Sequence, residues 1–319
     1  MSIGRHVLKI SGYAPALPTP WDDHDAIDAE AFERFCELQI ASGATALVVG
    51  GTTGEASNLT GAEHSELIRV AVRASRGRVP VIAGAGSNST HHAIELTRDA
   101  ETNGADAILS VVPYYNRPTQ AGLYAHFCEI AGSTVLPIML YDVPSRTACG
   151  LTDATIARLA EVPRIFGLKD ASEEPGRAAR LRALIGTEFR LLSGDDATAL
   201  GFIAQGGDGC ISVASNIAPG LCRNIFLTLR QGQITRAQRL AQPASQLTAA
   251  LFREPNPAPL KFALSLLGLM TSKVRLPLVE ATEQTKKELS GILGRLCNDY
   301  AGSMIAKVGN SLSLKRLAS

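Results

Sequence analysis

The sequence predicts a (β/α)8 TIM barrel followed by a helical C-terminal region. Eight short, β-branched apolar runs recur along the first two-thirds of the chain, stretches of helix length separate most of them, and the apolar runs cease after residue 232. Near-continuous apolar strands suit a parallel sheet buried on both faces, and strand–helix alternation is the mark of repeated βα units.

The expected strands are 13–17, 46–50, 79–83, 107–111, 138–141, 165–169, 190–192 and 209–213. Helical patterns at 31–42, 62–76, 90–103, 120–132, 152–161 and 176–185 lie between them. Thr60 precedes Glu63 at capping-box spacing, Thr152 opens an alanine-rich turn, and Gly43 and Gly104 follow helix ends. Eight such units close a barrel near residue 230. A doubly wound open sheet is the structural rival, but no G-x-G-x-x-G opens a helix after the first strand. Beyond that point 237–252, 260–269 and 277–297 read as helices, with Glu254-Pro255-Asn256-Pro257 as a rigid break. The expected division is therefore a barrel over 1–232 carrying the active site, a helical region over 233–300, and a tail over 301–319 of unassigned role.

The 319 residues are 45% hydrophobic, enough to bury a large core, and the formal net charge of +1 offers no electrostatic footprint for nucleic acid or an anionic membrane. The basic cluster Lys307, Lys315 and Arg316 lies in the tail, where fraying in solvent is expected. Six widely spaced cysteines contain no C-x-x-C pair and read as reduced core residues. The N-terminus has Arg5, His6 and Lys9 but no signal-peptide run, and no stretch approaches a membrane span. A cytoplasmic protein is expected.

In a barrel of this type, side chains at the C-terminal strand ends and in the βα loops line the active face. Two apolar runs each end on a reactive residue: Ile138-Met139-Leu140 on Tyr141, and Ile165-Phe166-Gly167-Leu168 on Lys169. A lysine closing an apolar strand is costly unless its ammonium reaches a cavity or a partner; pairing with Asp170 is the plain alternative. With a tyrosine on the adjacent strand as proton carrier, the pair points to imine chemistry on a carbonyl substrate, which needs a neutral amine. Thr52 and Thr53 after the second strand, Tyr114 and Tyr115 after the fourth, and Arg146 after the fifth belong to the same face.

Arg146 suits bidentate binding of a carboxylate. Gly50-Gly51-Thr52-Thr53-Gly54-Glu55 lacks the lysine and spacing of a phosphate loop, and its backbone N–H groups and hydroxyls fit a small carboxylate. Gly84-Ala85-Gly86 reads as turn chemistry. The loop Pro113-Tyr114-Tyr115-Asn116-Arg117-Pro118 would pack at a subunit contact or lend one hydroxyl to a proton relay. The histidines form no pattern with carboxylates that would build a metal site, so neither a metal nor another cofactor is expected.

With these residues assembled, the chain resembles the dihydrodipicolinate synthase / N-acetylneuraminate lyase family of class I aldolases over roughly residues 10–300. The resemblance rests on residues 51–55, Pro113-Tyr114-Tyr115-Asn116, residues 141–147, Gly167-Leu168-Lys169-Asp170, Leu192-Ser193-Gly194-Asp195-Asp196 and Glu254-Pro255-Asn256-Pro257. Ser145-Arg146-Thr147 favours the synthase branch. The resemblance implies that Lys169 forms a Schiff base with pyruvate and that Tyr141 shuttles protons through Thr52 to Tyr115 of a neighbouring subunit. It implies that Thr53, the backbone near Ile211, and Gly194 bind pyruvate, and that Arg146 binds the carboxylate of aspartate β-semialdehyde. The implied product is 4-hydroxy-tetrahydrodipicolinate, on the route to diaminopimelate and lysine, and the implied assembly is a homotetramer.

The resemblance implies a candidate effector site at His64, Asn88, His92 and Tyr114, of which His64, Asn88 and Tyr114 match the family and His92 departs from it. Lysine-inhibited members carry an acidic residue where His92 stands and often a histidine where Gly61 stands, so weak or absent inhibition by lysine is expected. Asp142 replaces the usual asparagine and is expected to place a carboxylate near Tyr141. The competing readings are another pyruvate-dependent class I lyase acting on a sialic acid or keto-deoxy sugar acid, and a barrel that has lost catalysis. Arg146 speaks against the first, and the retention of Lys169, Tyr141, Thr52 and Tyr115 together speaks against the second.

Overall fold

A computed structural model describes residue 8, residues 10–299 and residue 305. The cluster Lys307, Lys315 and Arg316 and the N-terminal Arg5, His6 and Lys9 lie outside the described residues. Of the tail, Ile305 is described, and it is buried against the core.

Eight parallel strands form the sheet: β1 (Gly12–Pro15), β2 (Leu47–Val49), β3 (Val81–Gly84), β4 (Ala107–Val111), β5 (Ile138–Asp142), β6 (Ile165–Asp170), β7 (Arg190–Ser193) and β8 (Gly209–Ser212). Their order is β1-β8-β7-β6-β5-β4-β3-β2. Closure between β1 and β2 comes from a bridge of Ala16 to Val48 and from Leu17 N–H donating to the Val48 carbonyl over 2.8 Å. Each strand lies within two residues of its expected place, because an apolar run flanked by turn residues leaves little freedom in where pairing starts.

Alternation along each strand separates two apolar layers. On β5, Ile138 and Leu140 join the large core between sheet and helices, whereas Met139 and Tyr141 enter the barrel interior with Ala14, Val48, Leu109, Leu192 and Ile211. The capping box at Thr60 forms: Glu63 N–H donates to Thr60 Oγ1 at 3.3 Å, and Thr60 N–H donates to Glu63 Oε2 at 2.8 Å. Gly43 and Gly104 adopt positive φ after their helices, as expected. Gly84 and Gly86 do more than turn the chain. A Cβ on Gly84 would lie 2.4 Å from the Gly50 carbonyl oxygen, so this glycine permits the two loops to meet.

Helices Pro219–Arg230, Ile234–Leu251, Ala258–Leu266 and Glu283–Asp299 follow the last strand. The last begins six residues later than expected. Residues 277–282 remain non-helical: the chain turns at Leu276-Pro277, where Leu278 N–H donates to the Arg275 carbonyl at 3.0 Å, and Glu254 captures Thr282 N–H at 3.0 Å. Among the described residues no helix is long and apolar enough to cross a membrane.

One core histidine carries a pH prediction. His126 is buried; Thr90 Oγ1 lies 2.9 Å from Nδ1, and Nε2 has no partner among the described residues. Burial pushes its pKa down from 6.5 to about 4. Between those values the unfolded chain binds the extra proton, so stability falls as pH drops through this window, by up to about 3 kcal/mol. Urea midpoints from pH 7 to 4.5 should show a shallower acid loss for His126→Asn than for the wild type. Parallel slopes would assign the acid loss to other groups.

Candidate active site

Lys169 and Tyr141 are register partners at the C-terminal ends of β6 and β5, and both enter the barrel. Both are buried, and the Lys169 Nζ sits 4.0 Å from the centroid of the Tyr141 ring. Pairing of Lys169 with Asp170 does not occur. Asp170 faces the other way, accepting from Ser172 N–H at 2.9 Å and from Arg177 Nη1 at 3.4 Å. Among the described residues no carboxylate lies within ion-pair distance of Lys169, and the face of the Tyr141 ring is its neighbour instead. Gly194 lies against its stem: a Cβ there would stand 2.9 Å from both Cγ and Cε of Lys169. A side chain at 194 would push the amine out of place.

Asp142 differs from the sequence expectation. Strand alternation turns it away from Tyr141 into a buried ion network outside the barrel. Its Oδ2 accepts from Arg177 Nη1 at 2.9 Å, and Leu151 N–H donates to the same carboxylate. Burial pushes its carboxyl pKa up, against the pull of Arg177. Arg177 also binds Asp153 at 3.0 Å and the Leu151 carbonyl. The guanidinium thus joins the residues that immediately follow Tyr141 and Lys169, and sequence reading missed it.

A cleft of about 620 Å³ opens at this end of the barrel, lined in part by Thr52, Tyr141, Arg146, His64, His92 and Tyr114. Arg146 is exposed on the short helix Pro144–Thr147 and has no ion-pair partner among the described residues, leaving its fork free for a carboxylate. Tyr115 is 90% exposed on a backbone with φ of 74°, and it is not among the cleft-lining residues of this single chain. Ile211 on β8 is buried in the interior cluster with Tyr141.

The loop bearing Thr52 and Thr53 is held by a buried carboxylate. Glu55, itself at φ of 57°, accepts from Trp21 Nε1, Lys261 Nζ and Arg275 N–H, each at 2.9 Å. Burial lowers the Lys261 pKa to about 8 against the opposing pull of Glu55. A non-glycine residue in the left-handed region costs energy, and these donors, with Asn58 Nδ2 at 3.4 Å as a fourth, converge on its carboxylate and secure that turn. Thr53 is buried beneath it and accepts from Asn256 Nδ2 at 2.9 Å.

Of the candidate effector residues, His64, His92 and Tyr114 line the same cleft, and Asn88 is not among its lining residues. His64 is buried, burial pushes its pKa down, and its Nε2 lies 2.8 Å from the Gly84 carbonyl. His92 is exposed and pairs with Glu95 at 3.1 Å, while His91 lies 3.3 Å from the other oxygen of Glu95. The Asn88 carbonyl accepts from Asn116 Nδ2 at 2.8 Å, fastening it to the loop that carries Tyr114 and Tyr115. Among the described residues no group of three His, Cys, Asp or Glu side chains could hold a metal ion.

Residues 9–296 match the model of the Dihydrodipicolinate synthetase family. The chain is 47% identical over 279 residues to the 4-hydroxy-tetrahydrodipicolinate synthase of Methylobacterium radiotolerans, covering 88% of this chain and 93% of the relative. The 4-hydroxy-tetrahydrodipicolinate synthase structure from the methanotroph Methylacidiphilum fumariolicum SolV superposes with a TM-score of 0.89 at 40% identity, covering 92% of this chain and 98% of that one. The dihydrodipicolinate synthase of Acinetobacter baumannii, solved in complex with pyruvate, matches with a TM-score of 0.87 at 41% identity, covering 89% and 98%.

Proposed function

The chain belongs to the dihydrodipicolinate synthetase family, and from that premise we propose that it condenses pyruvate with aspartate β-semialdehyde to 4-hydroxy-tetrahydrodipicolinate through an imine on Lys169. The observation that carries this reading is the buried amine of Lys169 against the Tyr141 ring, in a barrel mouth that opens beside an unpaired arginine. The enzyme is a lyase of diaminopimelate and lysine biosynthesis.

The Lys169 amine adds to C2 of pyruvate and water leaves, forming the imine. Tyr141 carries the protons of that dehydration, relayed through Thr52 to Tyr115 of a second subunit. Loss of a C3 proton gives the enamine, whose C3 bonds to the aldehyde carbon as the aldehyde oxygen takes up a proton. The amine of the adduct then attacks C2 and expels Lys169, closing the ring with one water lost overall. Thr53, the Ile211 backbone and Gly194 frame the pyruvate end, and Arg146 clamps the semialdehyde carboxylate. The exposure of Tyr115 in one chain supports its donation to a neighbour, and so at least a dimer within a proposed cytoplasmic homotetramer.

The deciding experiment is turnover of both substrates coupled to the downstream reductase and followed by NADPH loss. Folded protein that traps pyruvate but gives no NADPH loss would assign the imine chemistry to another acceptor. Arg146→Ala should raise the semialdehyde KM by about tenfold or more and leave borohydride trapping of pyruvate intact. Loss of the pyruvate adduct in that variant would remove Arg146 from its role. At the effector flank, His92 offers no carboxylate, and Glu95 is occupied by two histidines. Lysine is therefore expected to bind weakly. Isothermal titration yielding tight lysine binding would overturn that expectation.

A further inference from the structure

We propose that Asn256, supplied by the C-terminal region, is a positioning residue that aims the Thr53 hydroxyl at the pyruvate carboxylate. The two residues are 203 positions apart, and Asn256 sits on the turn before helix Ala258–Leu266. Both side chains are buried, and Asn256 Nδ2 donates to Thr53 Oγ1 at 2.9 Å.

The direction of this bond decides what Thr53 can do. A threonine hydroxyl left to itself turns its proton onto nearby backbone. Thr147 does so onto the Val143 carbonyl at 3.1 Å, and Thr97 onto the Ala93 carbonyl at 2.7 Å. Thr53 instead receives a donor, which occupies a lone pair and leaves its own proton for an acceptor in the barrel mouth. An anionic oxygen is the acceptor that such a donor favours most. Asn256 itself lines the cleft, and its Oδ1 is buried with no hydrogen-bond partner among the described residues, so the amide is not spent on bracing a backbone segment.

The same region grips the loop a second time, through Lys261 Nζ and Arg275 N–H on Glu55. The height of the loop and the orientation of its hydroxyl therefore come from outside the barrel. This inference rests on the reading of Thr53 as the pyruvate-carboxylate ligand.

A double-mutant cycle on the full chain separates the two claims, with pyruvate KM, semialdehyde KM, borohydride trapping and urea midpoints measured on each protein. Asn256→Ala is expected to raise pyruvate KM roughly tenfold and leave semialdehyde KM within about twofold. Added to Thr53→Val it should change pyruvate KM by less than about twofold, whereas in Thr53→Ser, which keeps the hydroxyl, its full effect should return. Additive effects in the Thr53→Val background, with Thr53→Val itself impaired, would overturn the inference alone. An unchanged pyruvate KM in Thr53→Val would overturn the reading of Thr53 and the inference together. If Asn256→Ala does not fold, Asn256→Asp serves, because a carboxylate takes the Thr53 proton and repels pyruvate. Wild-type pyruvate KM in Asn256→Asp would overturn the inference.

Discussion

Lys169→Ala is expected to reduce turnover by at least about a thousandfold and to abolish the borohydride-trapped pyruvate adduct, while the fold persists. Among the described residues no other amine lies over the Tyr141 ring, so the covalent route has no substitute there. The shortened side chain leaves a space under Gly194, whose missing Cβ accommodates the lysine stem. That space costs packing energy, yet the strand keeps its ladder through Tyr141 and Leu192. Mass spectrometry of the trapped protein reads the result directly. An adduct of wild-type yield on the alanine variant would move the imine to another lysine and undo the proposed chemistry.

The second large effect is on stability. Arg177→Leu should lower unfolding stability by about 3–5 kcal/mol, measured from urea midpoints near neutral pH. Asp142 and Asp170 are buried side by side as register partners, and Arg177 is the cation that meets both. Without it, two carboxyl groups share a dry site and one must take up a proton. Asp142→Asn in the leucine background should recover part of the loss, because the neutral amide removes one buried charge and still accepts from Leu151 N–H. A leucine variant within about 1 kcal/mol of the wild type would mean that the two carboxylates do not depend on Arg177.

Much of the site was legible because its residues sit at the ends of apolar runs. Tyr141 and Lys169 each stand one residue before the end of a strand, and strand alternation sends both inward, so pattern alone brings them to one mouth. Arg146 and the threonine loop were legible for a similar reason, following their strands within a few residues. Asp142 was misread because neighbouring residues of a strand face opposite ways. Its closeness to Tyr141 in sequence places it outside the barrel, where Arg177 receives it. Glu254-Pro255-Asn256-Pro257 was read for its prolines as a break, although the residue between them reaches Thr53. A polar side chain held between two prolines was the one available signal.

What the sequence determined by itself is local and periodic. The strand and helix alternation, the barrel, and the reactive residues at strand ends all follow from hydrophobic period and turn chemistry, which act over a few residues. Tertiary structure decided the partners. Asn256 on Thr53, Lys261 on Glu55, and Arg177 on Asp142 span 203, 206 and 35 residues, and no local pattern encodes such pairs. A buried polar group takes whichever donor or acceptor the folded chain brings within reach, because leaving it unpaired costs more than almost any local preference.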